Sequence, residues 1–279
     1  MNDSDDQGPP PAQPAPPVPS AIRRQGEISL RQGNIELALS KYRKAVQMEG
    51  AGAGGPQEGV SAARTDLGDA YAYADQAVNA LRQFRRAIRS SPKRSEPHFS
   101  LGELYRRHGK TQAAVAEYRR AIEYSPRNAF YHYRLADTLV DAGFETEAIS
   151  EMEIAAEMAP EDSFYHFRLS DLYLTRGRLE EAVAEIQMAS MFSPKDAYYN
   201  LRLGMLYILA GHWEDAAEAL AHALRLDPRN ALYHCVLGDV YLQIPRNDLA
   251  MSHYQMAGDL DYYDMEHVRR IRQLVGIGE

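Results

Sequence analysis

Residues 129–162 read AFYHYRLADTLVDAGFETEAISEMEIAAEMAPED, and residues 163–196 read SFYHFRLSDLYLTRGRLEEAVAEIQMASMFSPKD. Leu135 and Leu169, Gly143 and Gly177, Ala148 and Ala182, Ala155 and Ala189, and Pro160 and Pro194 each lie 34 residues apart. A fixed period of that length marks stacked helical hairpins, because one hairpin cannot bury its own apolar face and needs neighbours. The remaining residues are measured against this period.

The same frame runs without a slip through copies at 61–94, 95–128, 129–162, 163–196, 197–230 and 231–264. Ala80, Ala114, Ala148, Ala182, Ala216 and Ala250 form one column, and Ala87, Ala121, Ala155, Ala189, Ala223 and Ala257 a second. Small side chains at these places let two helix backbones approach closely. Leu67, Leu101, Leu135, Leu169, Leu203 and Leu237 supply large side chains opposite them. Gly109, Gly143, Gly177 and Gly211 end each first helix by accepting positive φ, and Pro92, Pro126, Pro160, Pro194 and Pro228 close each unit.

Upstream, 19–52 reads as a degenerate first copy, with Ala38, Tyr42 and Ala45 in place but Gln25 and Ser29 at core positions. Polar residues there suit a terminal repeat with one side in water. A Gly-rich insertion at 53–60 then delays the next copy and predicts a flexible loop. Residues 1–19 hold seven prolines and few large apolar side chains, which predicts a disordered tail. At the other end Met265, Val268, Ile271 and Val275 recur at helical spacing, so 265–279 reads as a capping helix and tail, with Asp264 as N-cap.

A net charge of −8 argues against nucleic acid as the main ligand, since phosphate neutralisation needs a surplus of Lys and Arg. One cysteine, Cys235, excludes an internal disulfide framework and a multi-cysteine metal site, and is read as a small half-buried side chain. No apolar run approaches the roughly 20 residues that span a bilayer, so membrane insertion is not expected. The acidic, proline-rich start lacks the basic and apolar regions of a signal peptide, which makes a cytoplasmic address the default expectation.

With its Leu, Gly, Tyr, Ala and Pro columns the chain resembles the tetratricopeptide repeat (TPR) family over nearly everything after residue 19. The resemblance implies an all-α, right-handed α-solenoid of about seven TPR helix-turn-helix repeats with a C-terminal capping helix. It also implies a non-catalytic scaffold that binds a peptide or protein segment in a concave groove lined by the first helix of each hairpin. A structural assembly element, or a regulatory subunit of an enzyme complex, is the alternative.

On the face that the resemblance assigns to the groove, the columns are ordered. Aromatics stand at Phe130, Phe164 and Tyr198, and again at Phe99, Tyr133 and Phe167. Arg134, Arg168 and Arg202 make an arginine column, and Asp137, Asp171 and Asp239 belong to an acidic one interrupted by Met205. The functional reading is aromatic anchors with Arg and Asp handles. The alternative is that Arg134–Asp137 and Arg168–Asp171 merely pair at i, i+3 along their own helices, worth a few tenths of a kcal/mol. Family members that clamp the C-terminal carboxylate of heat-shock chaperones use Lys and Asn on this face, whereas an acid fills that Asn column here. The asparagine ladder of O-GlcNAc transferase is likewise replaced by Arg, so neither ligand is expected.

His98, His132, His166 and His234 recur one per copy. Metal ligation needs several donors converging on one ion, and these sit on successive helices, so packed histidines are expected and neither a metal nor another cofactor. Charge is also segregated: 82–94 carries six basic residues and no acid, while 137–185 carries thirteen acids against three arginines. The helix dipole accounts for a basic run near a helix C-terminus. The sharper alternative is that the two regions engage different partners, or each other in salt-dependent self-association.

Overall fold

The computed structural model describes residues 18–51 and 57–260. Among them are fourteen helices and no strands, paired as seven hairpins. In order they are α1 (Pro19–Arg31) with α2 (Ile35–Ala51), α3 (Gln57–Tyr73) with α4 (Ala77–Ser90), and α5 (Ser95–Arg107) with α6 (Thr111–Tyr124). Then come α7 (Ala129–Asp141) with α8 (Glu145–Met158), α9 (Ser163–Thr175) with α10 (Leu179–Phe192), α11 (Ala197–Ala210) with α12 (Trp213–Leu226), and α13 (Ala231–Gln243) with α14 (Asn247–Asp259). The chain divides into two compact units, Met1–Ser125 and Pro126–Glu279. Within each unit the second helix of a hairpin also packs on the first helix of the next, the nearest-neighbour pattern of an α-solenoid.

Every member of the two alanine columns has 0% of its surface exposed. Between them lies a second fit, at the eighth position of each repeat copy. A Cβ added at Gly26, Gly68, Gly102 or Gly238 would fall within 3 Å of the ring of Tyr42, Phe84, Tyr118 or Tyr254, sixteen residues later on the facing helix. Where Ala136 and Ser170 replace the glycine, the facing position holds Met152 and Ile186 and no ring. Gly204 faces Leu220, whose Cγ would lie 2.7 Å from an added Cβ, so glycine at this position marks close approach with or without a ring.

The turns follow the expected chemistry, with Gly33, Gly109, Gly143, Gly177 and Gly211 at φ between 68° and 79°. The second hairpin instead uses Asp75 at φ 57°, one of the few residue types that tolerates this region. Four of the first helices in Pro126–Glu279 are capped by a column that the period also contains. Asn128, Asp162, Asp196 and Asn230 each accept a backbone N–H, from Tyr131, Phe164, Tyr198 and Tyr233 respectively.

The insertion differs from expectation. Residues 57–60 are not loop but the first turn of α3. Glu58 stands where the helix dipole favours an acid, and its carbonyl accepts from Arg94 Nη1 at 3.0 Å, which anchors that turn. The proline-rich tail, 52–56 and the helix expected at 264–275 lie outside the described residues. No described helix is long and apolar enough to cross a membrane.

Two glycine substitutions should have opposite signs. In Gly68→Ala the new Cβ would sit 2.4 Å from Phe84 Cε1, and overpacking of that kind costs about 1–3 kcal/mol. Gly258, in α14, has no atom within 4 Å of a built Cβ, so Gly258→Ala should gain about 0.5 kcal/mol. Urea unfolding midpoints of the two variants read the difference.

Candidate functional site

The sequence-predicted residues other than Asp239 lie on the first helices α7, α9 and α11, whose starts are held by Asn128, Asp162 and Asp196. Phe130, Phe164 and Tyr198 are the second residues of their helices, and are 47%, 38% and 46% exposed. Tyr133 and Phe167, three residues further along their helices, are half-buried and pack into the core cluster of α8 to α10. The rings form two groups of close contacts, one from α7 to α9 and one from α9 to α11. Phe130 lies 5.9 Å from Tyr133, Tyr133 is T-shaped to Phe164 at 5.0 Å, and Phe167 is T-shaped to Tyr198 at 5.6 Å between centroids. Such geometries are favourable for aromatic quadrupoles, so neighbouring rings support one another. Burial, and then the capping Asp162, raise the pKa of Tyr165 behind this ladder, and burial followed by Asp196 does the same to Tyr199. An open depression of about 640 Å³, lined in part by Pro160, Asp162, Phe164 and Tyr199, adjoins it.

The charged columns are connected differently from the i, i+3 expectation. Arg168 Nη2 donates to Asp137 of the preceding hairpin at 2.8 Å, and Arg202 Nη2 to Asp171 in the same way. Only Arg134–Asp137 stays within its helix, at 3.9 Å. The arginine planes also approach the aromatics, Arg202 being 5.8 Å from the Phe167 centroid and Arg134 5.9 Å from that of Tyr133. A ligand on this face therefore meets rings beside charges already paired across hairpins. Asp239 is 3% exposed and accepts from the Tyr254 hydroxyl at 2.5 Å, and the position 31 residues on, Arg270, lies outside the described residues. Cys235, expected to be half-buried, is fully buried against Ala231 and Ala257.

The four histidines form a clip that periodicity alone did not disclose. His98, His132 and His166 each place Nδ1 at 2.6–2.7 Å from a glutamate nineteen residues later, Glu117, Glu151 or Glu185. Their Nε2 atoms lie 2.9–3.2 Å from the carbonyls of Pro92, Pro126 and Pro160. For His132 two acceptors call for two ring protons, and the Glu151 hydrogen bond raises its pKa against the opposing effect of burial. In the last hairpin His253 replaces the glutamate and faces His234 at 2.9 Å, Nδ1 to Nδ1. Burial, and then the neighbouring His234, lower the pKa of His253. The signal was present in the sequence, since Glu117, Glu151 and Glu185 share the period. Among the described residues no group of three or more His, Cys, Asp or Glu is placed to hold a metal ion.

Family models described as "TPR repeat" and "Tetratricopeptide repeat" match residues 102–143, and residues 133–197 and 201–261, respectively. No curated protein sequence matches. Among solved structures, YrrB, titled a TPR protein with an unusual peptide-binding site, is 20% identical at TM-score 0.56, covering 67% of this chain and 97% of its own. A tetratricopeptide repeat protein from Parabacteroides merdae is 16% identical at TM-score 0.56, covering 92% and 98%. PilF of Pseudomonas aeruginosa is 17% identical at TM-score 0.57, covering 78% and 99%. At these identities the likeness is one of fold.

The histidine clips make stability depend on pH in two opposed ways. The pKa of His132 is raised in the folded chain, so its contribution is complete below the ordinary value of 6.5 and is lost as pH climbs through the folded value. The pKa of His253 is lowered, so the native state is penalised as pH falls from 6.5 through its folded value. Unfolding midpoints between about pH 5.5 and about pH 8 should show His132→Gln losing most stability at the acid end. His253→Gln should instead remove part of the wild-type loss on acidification.

Proposed function

Because the chain belongs to the tetratricopeptide repeat family, we propose that it is a cytoplasmic, non-catalytic interaction scaffold that holds a protein segment on the first-helix face of α7, α9 and α11. The observation that carries this reading is the row of Phe130, Phe164 and Tyr198, all exposed and spaced by the repeat. Three large aromatic side chains on one repeating face are what a binding surface needs and a solvated one does not. In this family the equivalent face lines the peptide groove, and YrrB is described as having a peptide-binding site.

In this reading Phe130, Phe164 and Tyr198 are the anchors, and Tyr133 and Phe167 hold them from behind. The Arg168–Asp137 and Arg202–Asp171 pairs fix the shape between anchors and offer their remaining hydrogen-bonding atoms to a peptide backbone. Paired charges attract neither sign strongly, so the favoured segment is apolar or aromatic at its contact residues. Asp239 is buried and has no part in it.

Peptides selected against the wild-type chain from a random display library test this. Phe164→Ala with Tyr198→Ala should weaken the selected peptides by tenfold or more, about 1.4 kcal/mol, while the helical circular dichroism stays unchanged. These exposed rings are better targets than Tyr133 or Phe167, whose truncation would also open the core. Peptides that bind the double variant as well as the wild type would overturn the reading.

A further inference from the structure

The second helices carry charge in blocks of opposite sign. Helix α4 (AVNALRQFRRAIRS) holds four arginines and no acid, whereas α8 (ETEAISEMEIAAEM) holds five glutamates and no base. Helix α10 (LEEAVAEIQMASMF) adds three glutamates, again with no base. The α4 arginines are spaced i, i+3, i+4, i+7, which lines Arg82, Arg85, Arg86 and Arg89 into one exposed stripe. Their guanidinium groups have no hydrogen-bond or ion-pair partner among the described residues. The basic register continues on either side, through Arg43 and Lys44 in α2 and Arg119 and Arg120 in α6.

Two repeats later the same register carries the opposite sign. Glu153 and Glu157 stand where Arg85 and Arg89 stand, 68 residues on. Glu157 and Glu180 are exposed, and Glu153 keeps one oxygen beyond the one that accepts from the Tyr173 hydroxyl at 2.6 Å. Beneath the arginine stripe, Arg64 Nε is buried without a hydrogen-bond partner, and burial followed by the charge of Arg86 lowers the pKa of Arg64.

From this register match we propose that the partner of the arginine stripe is a second copy of this chain, with α4 of one copy laid on the glutamate face of α8 and α10 of the other. Both faces belong to fourteen-residue helices, and Glu153 and Glu157 on α8 keep the i, i+4 spacing of Arg85 and Arg89 on α4, which gives two rungs of matching spacing. Arg–carboxylate pairs formed across them are charge-assisted and can be bidentate. A polyanion would gain the same stripe but meet the net −8 of the whole chain. The contact uses neither the aromatic ladder nor the residues that hold it, so it stands apart from the peptide reading.

Sedimentation of the full chain at low salt, and at about 0.5 M salt where the Debye length is a few ångströms, tests it. The wild type should sediment above its 31.4 kDa monomer mass at low salt and as the monomer at high salt. Arg85→Glu with Arg89→Glu should be monomeric at low salt, and so should Glu157→Arg with Glu180→Arg. Mixing the two variants should restore the heavy species, because each then offers the other two complementary faces. The substituted side chains are exposed, and circular dichroism checks that each variant remains helical. Phe164→Ala with Tyr198→Ala should associate as the wild type does. A wild-type chain that stays monomeric at low salt overturns the proposal, as does a mixture that does not recover mass. So does a monomer that binds an oligonucleotide or anionic vesicles through Arg85 and Arg89.

Discussion

Each hairpin depends on one fit: a bulky side chain on the second helix fills the space left where the first helix has little or no side chain. Phe84 over Gly68 and Tyr118 over Gly102 set how near the two backbones come, with the fully buried alanines on either side permitting that approach. Core packing at near-crystalline density makes the fit two-sided, since a gap and an extra methylene are both destabilising. Once the interhelix distance is set, the carboxylates of Glu117, Glu151 and Glu185 fall within reach of His98, His132 and His166. The phenol of Tyr118 reaches Glu103 by the same geometry.

The aromatic ladder and the ion pairs follow from how hairpins stack rather than from any one helix. Phe164 meets Tyr133 of the preceding hairpin, and Tyr198 meets Phe167. Arg168 and Arg202 make the corresponding backward step to Asp137 and Asp171. Exposed ion pairs contribute little to stability, but here they pin long side chains beside the rings and remove the freedom a ligand would otherwise have to freeze out. The interaction scaffold proposed for the first helices and the self-association proposed for the second helices therefore use opposite products of one repeat. One face pairs arginine with aspartate from hairpin to hairpin, and the other collects arginine on α4 and glutamate on α8 and α10.

Much of this was legible in the period. The hairpins, the alanine columns, the turn glycines and the exposed aromatics all come from side-chain size and backbone preference, which act within a single repeat. What was not legible acts between repeats or depends on a particular neighbour. Arg168 and Asp171 sit at i, i+3, yet Arg168 reaches Asp137, because the adjacent hairpin brings that carboxylate nearer than the helix's own. Asp239 belongs to the acidic column but is buried and accepts from the Tyr254 hydroxyl, a contact with one particular neighbour. The Gly-rich stretch was read as loop to residue 60, while Glu58, its carbonyl bound by Arg94, lets α3 begin at Gln57. The cap column at Asn128, Asp162, Asp196 and Asn230 shared the period and could have been read from it.

The matching of ring to gap also constrains how such a chain can grow by duplication and recombination. Helix α4, with Phe84, suits Gly68 but would drive its ring into Ala136 if joined to α7. Helix α8, with Met152, would leave a void beneath Gly68 if joined to α3. Crossovers inside a hairpin that join a ring-bearing helix to Ala136 or Ser170 thus produce a clash, whereas crossovers near the closing prolines exchange a self-consistent pair. The seams at which a hairpin can be exchanged without disturbing its own fit therefore lie where Pro92, Pro126, Pro160, Pro194 and Pro228 stand.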